Sequence, residues 1–263
     1  PTNYYASEID KYAIKVSTSN FPDIQQVGDV SKLDAADFKD IDLLIGGSPC
    51  TNLAICGDGT GLEGTQSKLF YEYIRLLREI NPRYFLLENV ASMRAKDRDI
   101  ITNLLGVEPV EVNSNQFTAQ NRKRLYWFNW EVQPQIHISP YFWSILDKTD
   151  KVTEYAHSEK AIAYMNSKIK DGRTHWDFGY HADTAKTKTP CLVANLYKGV
   201  PYNVVIDRRF TPALIRSYTP EECEKLQGVP VGYTAAVSKT QRYKMLGNGF
   251  TIPVIAHFLK EII

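Results

Sequence analysis

Two short apolar runs, separated by one amphipathic segment, each lead into a reactive side chain. The run at 42–47 is followed by Cys50, and the run at 84–87 by Glu88. Between them, over 66–80, apolar residues recur with the period of a helix that covers a sheet. A strand–helix–strand crossover is almost always right-handed and makes its strands parallel. The pattern predicts that Cys50 and Glu88 lie near each other at the carboxyl edge of a sheet, where open α/β sheets bind ligands.

The rest of the N-terminal half continues this alternation of strands and helices. Short runs at 4–8 and 24–29 lie on either side of a helical segment near 10–19. Runs at 108–112 and 124–130 predict two further strands, which we expect to form an antiparallel edge on a mostly parallel sheet. This order of elements predicts an α/β fold with helices on both faces of the sheet.

The composition of the chain changes after residue 130, where prolines, histidines and irregularly spaced aromatic residues predict an inserted subdomain of short strands and loops. Thr219 and Pro220, followed by two glutamates, then mark the start of a helix. The tail at 252–262 is amphipathic and is expected to pack on the core. We therefore predict three regions: a core over 1–130, the inserted subdomain over 131–210 and a return to the core over 211–263.

Charge, cysteine usage and hydropathy exclude several classes of protein. The chain has 263 residues and a formal net charge of +1, so a nucleic-acid surface must be a local basic patch such as 122–124 or 207–209. Its 4 cysteines lack the short paired spacings of zinc sites and are too few for a disulfide scaffold, which favours a reducing compartment. The histidines fit no tight ligand motif, and no apolar run approaches the ~20 residues of a membrane span. We predict no metal, no membrane partner and a location in the cytosol or the nucleus.

Each candidate residue also has a structural explanation. A lone cysteine such as Cys50 is more often a buried thiol than a nucleophile, although Gly46 and Gly47 would let the backbone approach a ligand and Pro49 would stiffen the loop. Glu88 taken alone is more often solvated or paired with a cation. The stretch 120–124 is either a solvated basic turn or a set of donors for phosphates and base edges. Similarly, 247–249 is either a tight turn or part of the lining of a small-molecule pocket.

Five segments, in this order, resemble the motifs of the DNA (cytosine-5) methyltransferases. They are Gly47-Ser48-Pro49-Cys50, Glu88-Asn89-Val90, Gln120-Asn121-Arg122-Lys123-Arg124, the stretch from Arg216 to Gly228, and Gly247-Asn248-Gly249-Phe250. Within the family, the sequence around Cys50 is most similar to the animal de novo enzymes and their phage or bacterial relatives. The resemblance implies a Rossmann-like sheet that uses S-adenosylmethionine, and a small irregular target-recognition subdomain.

The resemblance also implies an activity and a set of site residues. The activity is transfer of a methyl group from S-adenosylmethionine to C5 of a flipped cytosine in double-stranded DNA, through a covalent cysteine adduct. The implied catalytic residues are Cys50, Glu88, Arg122 and Arg124, the two arginines holding the cytosine O2 edge or flanking phosphates. The implied cofactor residues are Glu8, Ile9, Asp29, Val30, Pro49, Asn248 and Gly249, with Glu8 on the ribose and Asp29 on the adenine amino group. The implied DNA-binding residues are Ser48, Asn52, Gln120, Arg122, Lys123 and Arg124.

One feature of the family is not matched in this sequence. Members normally open with a strand and a glycine-rich Phe-x-Gly-x-Gly loop around the methionine part of the cofactor, and no such segment precedes Pro1. We expect it upstream, on a separate polypeptide, or lost. The alternative function is a catalytically silent or split subunit that binds DNA or a partner. A dinucleotide-dependent oxidoreductase is disfavoured because no Gly-x-Gly-x-x-Gly loop follows the first strand.

The resemblance further predicts the biological setting, which is restriction-modification, phage protection or epigenetic methylation. The corresponding location is the cytoplasm for a prokaryotic or phage protein, and the nucleus for a eukaryotic one.

Overall fold

The chain divides into two units in a computed structural model that describes residues 2–47, 68–133 and 139–262. Unit 1 consists of Pro1–Ile14, Phe21–Asn113 and Lys123–Gln133, and unit 2 consists of Lys15–Asn20, Ser114–Arg122 and Pro134–Ile263.

This division differs from the predicted boundary at residue 210. Strand hydrogen bonds cross that position, because Val205–Asp207 pairs with Leu214–Arg216 in one sheet. Residues on both sides of it therefore belong to unit 2. The role of 131–210 in target recognition stays a prediction.

Unit 1 opens with two short parallel strands. Strand β1 (Tyr5–Ala6) pairs with β2 (Gln25–Gln26), and helix α1 (Lys11–Asn20) lies between them in the sequence. The predicted strand–helix–strand order is confirmed. Because the strands run parallel, the residues that follow both of them leave the same edge of this small sheet.

The main sheet of unit 1 has 4 strands in the order β3-β4-β6-β5. Strands β3 and β4 are parallel, whereas β6 runs antiparallel to both β4 and β5. The bounds are β3 Leu43–Gly47, α2 Lys68–Ile80, β4 Tyr84–Val90, α3 Ala95–Leu105, β5 Val110–Asn113 and β6 Lys123–Phe128. The α/β fold, the parallel pair on either side of α2 and the antiparallel edge are confirmed.

The core of unit 1 is formed by apolar residues of α2, α3 and this sheet, with Phe70, Leu87 and Trp127 fully buried. A Cβ atom added at Gly46 would lie 2.5 Å from the Tyr73 ring on α2. The glycine therefore gives room for close packing of the helix on β3, and not for a ligand as predicted from the sequence.

Unit 2 combines a small sheet with short helices. Strand β8 (Val205–Asp207) lies between β7 (Ala182–Asp183), to which it is parallel, and β9 (Leu214–Arg216), to which it is antiparallel. The helices are α4 Phe142–Ile145, α5 Glu159–Asn166, α6 Pro220–Gln227, α7 Lys239–Asn248 and α8 Ile252–Leu259. Within the described residues of 131–210, β7 and β8 are short strands of the predicted kind, and the helices α4 and α5 were not predicted.

The predicted start of α6 is confirmed in detail. The Thr219 hydroxyl accepts a hydrogen bond from the backbone N–H of Glu222 at 3.1 Å, and the Glu222 carboxylate accepts one from the N–H of Thr219 at 3.0 Å. This reciprocal capping box, with Pro220 in the first turn, satisfies donors that have no partner within the helix. The predicted tail helix is also confirmed, as α8.

Gly247 lies inside α7, where replacement of glycine by alanine ordinarily stabilises a helix by about 1 kcal/mol. At this position a Cβ atom would lie 2.3 Å from the carbonyl carbon and oxygen of Val193. Backbone atoms cannot move aside as a flexible side chain can. We expect Gly247→Ala to lower the free energy of unfolding by about 1–3 kcal/mol, measured by urea denaturation. Thr240→Ala, at an exposed position of the same helix, should change it little; increased stability of Gly247→Ala would contradict this packing.

Candidate active site

Glu88 lies in the middle of the main sheet of unit 1. Strand β4 continues to Val90, so the strand does not end at Leu87 as the sequence suggested. In the register of the sheet, Glu88 is opposite Gly47 of β3 on one side and Tyr126 of β6 on the other. Gly47 is the last residue of β3, which places the carboxylate beside the carboxyl end of its parallel neighbour.

Arg124 forms an ion pair with Glu88, in which Nε of the arginine lies 2.9 Å from Oε1 of the glutamate. Both side chains are largely buried, with 14% and 12% of their surfaces exposed. Arg124 is opposite Val90, two residues along β4 from Glu88, so the two side chains are diagonal neighbours on one face of the sheet. The strand pairing therefore holds the carboxylate in one orientation.

Four of the predicted site residues lie outside the described residues. They are Ser48, Pro49, Cys50 and Asn52. Their roles as nucleophile, cofactor contact and DNA contacts stay predictions.

Gln120 is fully buried in unit 2, although the sequence predicted a contact with DNA. Its side-chain nitrogen donates to the carbonyl oxygen of Leu226 at 2.7 Å and to the side-chain oxygen of Gln227 at 2.9 Å. Its side-chain oxygen accepts from the backbone N–H of Leu192 at 3.2 Å. These bonds engage the Gln120 amide inside unit 2, and its predicted contact with DNA stays a prediction.

Arg122 is also buried, with 4% of its surface exposed, and its guanidinium lies at the end of α7. Nη1 donates to the carbonyl oxygens of Leu192 at 3.1 Å and Gly247 at 3.3 Å, and Nη2 to that of Gly249 at 2.9 Å. A cation favours the carbonyl end of a helix, where the dipole is negative. The described bonds of Arg122 therefore fasten the backbone of unit 2, and its predicted contact with cytosine or phosphate stays a prediction.

Lys123 remains the accessible cation of this motif. Its Nζ lies 3.2 Å from Glu111 on β5, and 64% of its side chain is exposed. The arginines of the patch predicted at 207–209 also pair with acids: Arg208 with Asp183 at 2.7 Å and Arg209 with Asp207 at 2.6 Å. These pairs largely neutralise the second basic patch.

Two predicted cofactor acids of unit 1 follow the paired strands β1 and β2. The Glu8 carboxylate accepts the backbone N–H groups of Ile9 at 2.7 Å and Asp10 at 2.8 Å. Asp29 accepts the N–H of Ser31 at 3.0 Å and its hydroxyl at 2.8 Å, and these bonds lower the pKa of Asp29. The Ser7 hydroxyl, after β1, donates to the carbonyl oxygen of Gly28, after β2, at 2.7 Å. The two acidic segments are therefore held side by side.

The other predicted cofactor residues of the described chain have different surroundings. Val30 begins a short 3-10 turn capped by Asp29, and Ile9 is 75% exposed. In unit 2, Asn248 is the last residue of α7, and the carbonyl of Gly249 accepts hydrogen bonds from Arg122 and Gln227.

The two described thiols are poor candidates for a nucleophile. Burial raises the pKa of Cys223 well above its ordinary value, which disfavours the thiolate. Cys191 is half-buried, and its Sγ donates to the carbonyl oxygen of Leu192 at 3.3 Å. Within the described ranges, no group of three or more His, Cys, Asp or Glu side chains could hold a metal ion. No helix in these ranges is long and apolar enough to span a membrane.

A buried charge network in unit 2 was not found by sequence reasoning. Arg216 Nε lies 2.9 Å from Asp207, and its Nη2 lies 2.8 Å from Glu222. All three side chains are fully buried. The only sequence signal was the capping-box position of Glu222, since Arg216 and Asp207 come together through strand pairing.

Comparison with known proteins shows the family of the chain. A family model described as C-5 cytosine-specific DNA methylase matches residues 2–263. The chain belongs to this family. The predicted resemblance is confirmed, and so is the predicted enzyme class of DNA (cytosine-5) methyltransferase.

This methylase is similar along almost its whole length to curated bacterial proteins. It is 32% identical to the Type II methyltransferase M1.ScrFI of Lactococcus lactis subsp. cremoris, over 98% of this chain and 70% of that protein. It is 30% identical to the Type II methyltransferase M.SsoII of Shigella sonnei, over 98% of this chain and 73% of that protein. A phage relative, the orphan methyltransferase M.Rho11sI of Bacillus phage rho11s, is 40% identical over 46% of this chain and 26% of that protein. The predicted likeness to bacterial and phage members is confirmed.

Solved structures confirm the methyltransferase fold. The methyltransferase EhMeth of Entamoeba histolytica has a TM-score of 0.75 at 16% identity, over 99% of this chain and 90% of that one. The Dnmt2 methyltransferase of S. pombe has a TM-score of 0.70 at 17% identity, over 97% of this chain and 88% of that one. These matches give no support to a separate polypeptide that supplies the glycine-rich segment, so we do not propose one.

Proposed function

We propose that this methylase transfers a methyl group from S-adenosylmethionine to C5 of a cytosine flipped out of double-stranded DNA, with Cys50 as the covalent nucleophile. The observation that carries the proposal is the register of β3 and β4. Gly47 is opposite Glu88, and only three peptide units separate Gly47 from Cys50. Three units span at most about 11 Å, so chain connectivity keeps the thiol within reach of the carboxylate's surroundings.

The chain's own groups account for the activation of the ring. The Cys50 thiolate adds to C6 and forms an Sγ–C6 bond, which makes C5 nucleophilic. Glu88 delivers a proton to N3 as negative charge develops on the ring, and it accepts a hydrogen bond from the exocyclic amine. After methylation the C5 proton passes to solvent water, the N3 proton returns to Glu88, and breakage of the Sγ–C6 bond releases 5-methylcytosine and restores the Cys50 thiolate.

Arg124 acts in this proposal through its ion pair with Glu88. Its Nε–Oε1 contact of 2.9 Å orients the carboxyl group that is to contact the base. Lys123, with its exposed ammonium, fits a contact with DNA phosphate.

The acids of unit 1 fit the nucleoside part of S-adenosylmethionine. A carboxylate can accept about four hydrogen bonds, and Glu8 accepts two from backbone N–H groups. It can therefore also accept hydrogen bonds from the ribose hydroxyls. Asp29 would accept the adenine amino group, and the exposed side chain of Ile9 offers apolar surface to the base. The bound cofactor supplies an electrophilic methyl group.

The relatives also favour a setting for this activity. Matches from Lactococcus lactis and Shigella sonnei favour the bacterial cytoplasm over the nucleus, and their Type II names favour a role as the modification enzyme of a restriction system.

The test is transfer of tritium from methyl-labelled S-adenosylmethionine to double-stranded DNA, followed by separation of the nucleosides. We expect the label in 5-methyldeoxycytidine. Glu88→Gln, which removes the charge and alters the hydrogen bond to N3, should lower kcat roughly 100-fold. Arg124→Met should lower it roughly 10-fold. The double variant should lose less than the product of the two single effects, because the side chains act as a pair.

The matched control is Glu111→Gln, which makes the same change at an exposed glutamate of the same sheet and should keep kcat within about twofold. Label in N4-methylcytosine or N6-methyladenine, or no transfer at all, would contradict the proposed function.

A further inference from the structure

Arg75 on α2 connects this helix to the backbone that follows Asp29 in unit 1. Its Nη2 donates to the carbonyl oxygen of Leu33 at 3.0 Å and to that of Val30 at 3.4 Å. These carbonyls belong to the 3-10 turn Val30–Lys32 and its C-terminal cap. A side chain of α2 therefore fixes the segment that follows β2 in unit 1.

Two glutamates on the same helix hold the guanidinium in this orientation. Nε of Arg75 donates to Glu72 at 2.9 Å, and Nη1 donates to Glu79 at 2.8 Å. Their spacings of three and four residues place both acids on the helix face that carries Arg75. The two glutamates of the same helix therefore orient the planar guanidinium group, and its remaining nitrogen, Nη2, contacts the turn.

The turn in its own right fixes Asp29. The Asp29 carboxylate caps the turn through the N–H and the hydroxyl of Ser31. Movement of the carbonyls of Val30 and Leu33 would carry Ser31 with it, and so change the direction of the capped carboxylate. Gly28, with a φ of 80°, precedes Asp29, so the chain enters the turn through a conformation that ordinary residues rarely adopt.

We propose that Arg75 is a positioning residue for recognition of the adenine base, and that it acts through the turn and Asp29 without touching the cofactor. The inference rests on the proposed function, in which Asp29 accepts the adenine amino group. A carboxylate favours that amino group and repels the carbonyl oxygen that replaces it in hypoxanthine. A correctly placed Asp29 should therefore make the protein bind the adenine compound more tightly than the hypoxanthine compound.

The test is calorimetric titration of the whole chain with S-adenosylhomocysteine and with its hypoxanthine analogue, S-inosylhomocysteine. Wild type should bind the adenine compound more tightly. Arg75→Met should weaken binding of the adenine compound about 5- to 10-fold, the loss expected for one or two positioning hydrogen bonds. It should weaken binding of the hypoxanthine analogue less, so that the ratio of the two dissociation constants moves towards one.

The matched control is Arg78→Met, which removes an exposed arginine from the same helix and should leave the ratio unchanged. Arg75→Lys keeps the charge but lacks the planar guanidinium group, and it should give an intermediate ratio of the two dissociation constants. This variant also tests the proposal if Arg75→Met does not fold. Equal loss of affinity for both compounds in an Arg75 variant would mean a merely structural role and would overturn the proposal. Failure of the wild type to bind either compound would contradict the proposed function itself.

Discussion

Replacement of Cys50 by serine is expected to abolish covalent trapping of this methylase on an oligonucleotide that contains 5-fluorocytosine. In the wild type, fluorine at C5 cannot leave as a proton does, so the Sγ–C6 bond should persist after methylation. A hydroxyl is a far weaker nucleophile than a thiolate near neutral pH, so the variant should form no adduct. The measurement is a denaturing gel, run after incubation with S-adenosylmethionine.

The same experiment separates chemistry from binding. Cys50→Ser should bind the unmodified duplex with nearly wild-type affinity in a gel-shift assay, because the side chain changes by a single atom. Cys191→Ser and Cys223→Ser are the controls, since Cys191 is half-buried and Cys223 is buried, and both should still give the trapped complex. A trapped complex with Cys50→Ser, or its loss with Cys191→Ser, would contradict Cys50 as the nucleophile.

Replacement of Arg216 by methionine is expected to have the largest effect on stability. The change leaves Glu222 as a buried carboxylate without its guanidinium partner and leaves Asp207 with Arg209 alone; breaking such a buried pair typically costs about 3–5 kcal/mol. For a chain of this size, the melting temperature should fall by about 6–20 °C in a calorimetric scan.

Two further variants serve as comparisons for Arg216→Met. Arg208→Met also removes an arginine from an acid, but this guanidinium is mostly exposed, and the melting temperature should change little. Arg216→Lys keeps the charge but cannot contact Asp207 and Glu222 with separate nitrogens of one planar group. Its melting temperature should lie between those of the wild type and Arg216→Met. A melting temperature for Arg216→Met equal to that of Arg208→Met would mean that the buried network does not stabilise the protein.

The destabilisation should also depend on pH. Burial by itself raises the pKa of Asp207, but hydrogen bonds from Arg209 and Arg216 outweigh it, so the pKa in the folded state lies below the ordinary value of 3.8. The stabilisation from this ionised group is complete above that value and is lost as the pH falls through the folded pKa. The difference in stability between wild type and Arg216→Met should therefore be largest near neutral pH and should shrink below about pH 4.

Local patterns were sufficient for most secondary structure. The periodicity of α2, the capping residues of α6 and the apolar runs of β3 and β4 depend on neighbours a few residues away, so they could be read without the fold. The end of β4 was predicted too early, because Glu88 was treated as the residue that stops an apolar run. Strand pairing on both sides overrides this local polarity and carries the strand to Val90.

The same distinction between local patterns and tertiary contacts applies to the site residues. The order of the motifs was sufficient to identify the family, and the strand–helix–strand pattern was sufficient to bring Glu88 beside the end of β3. The burial of motif residues depends instead on contacts between distant segments: Arg122 bonds the carbonyl of Gly249, 127 residues away, and Gln120 bonds Leu226, 106 residues away. A motif states which side chains are present, but burial and hydrogen-bond partners come from segments that meet only when the chain folds. For this reason two residues that the sequence predicted to contact DNA are interior residues of unit 2.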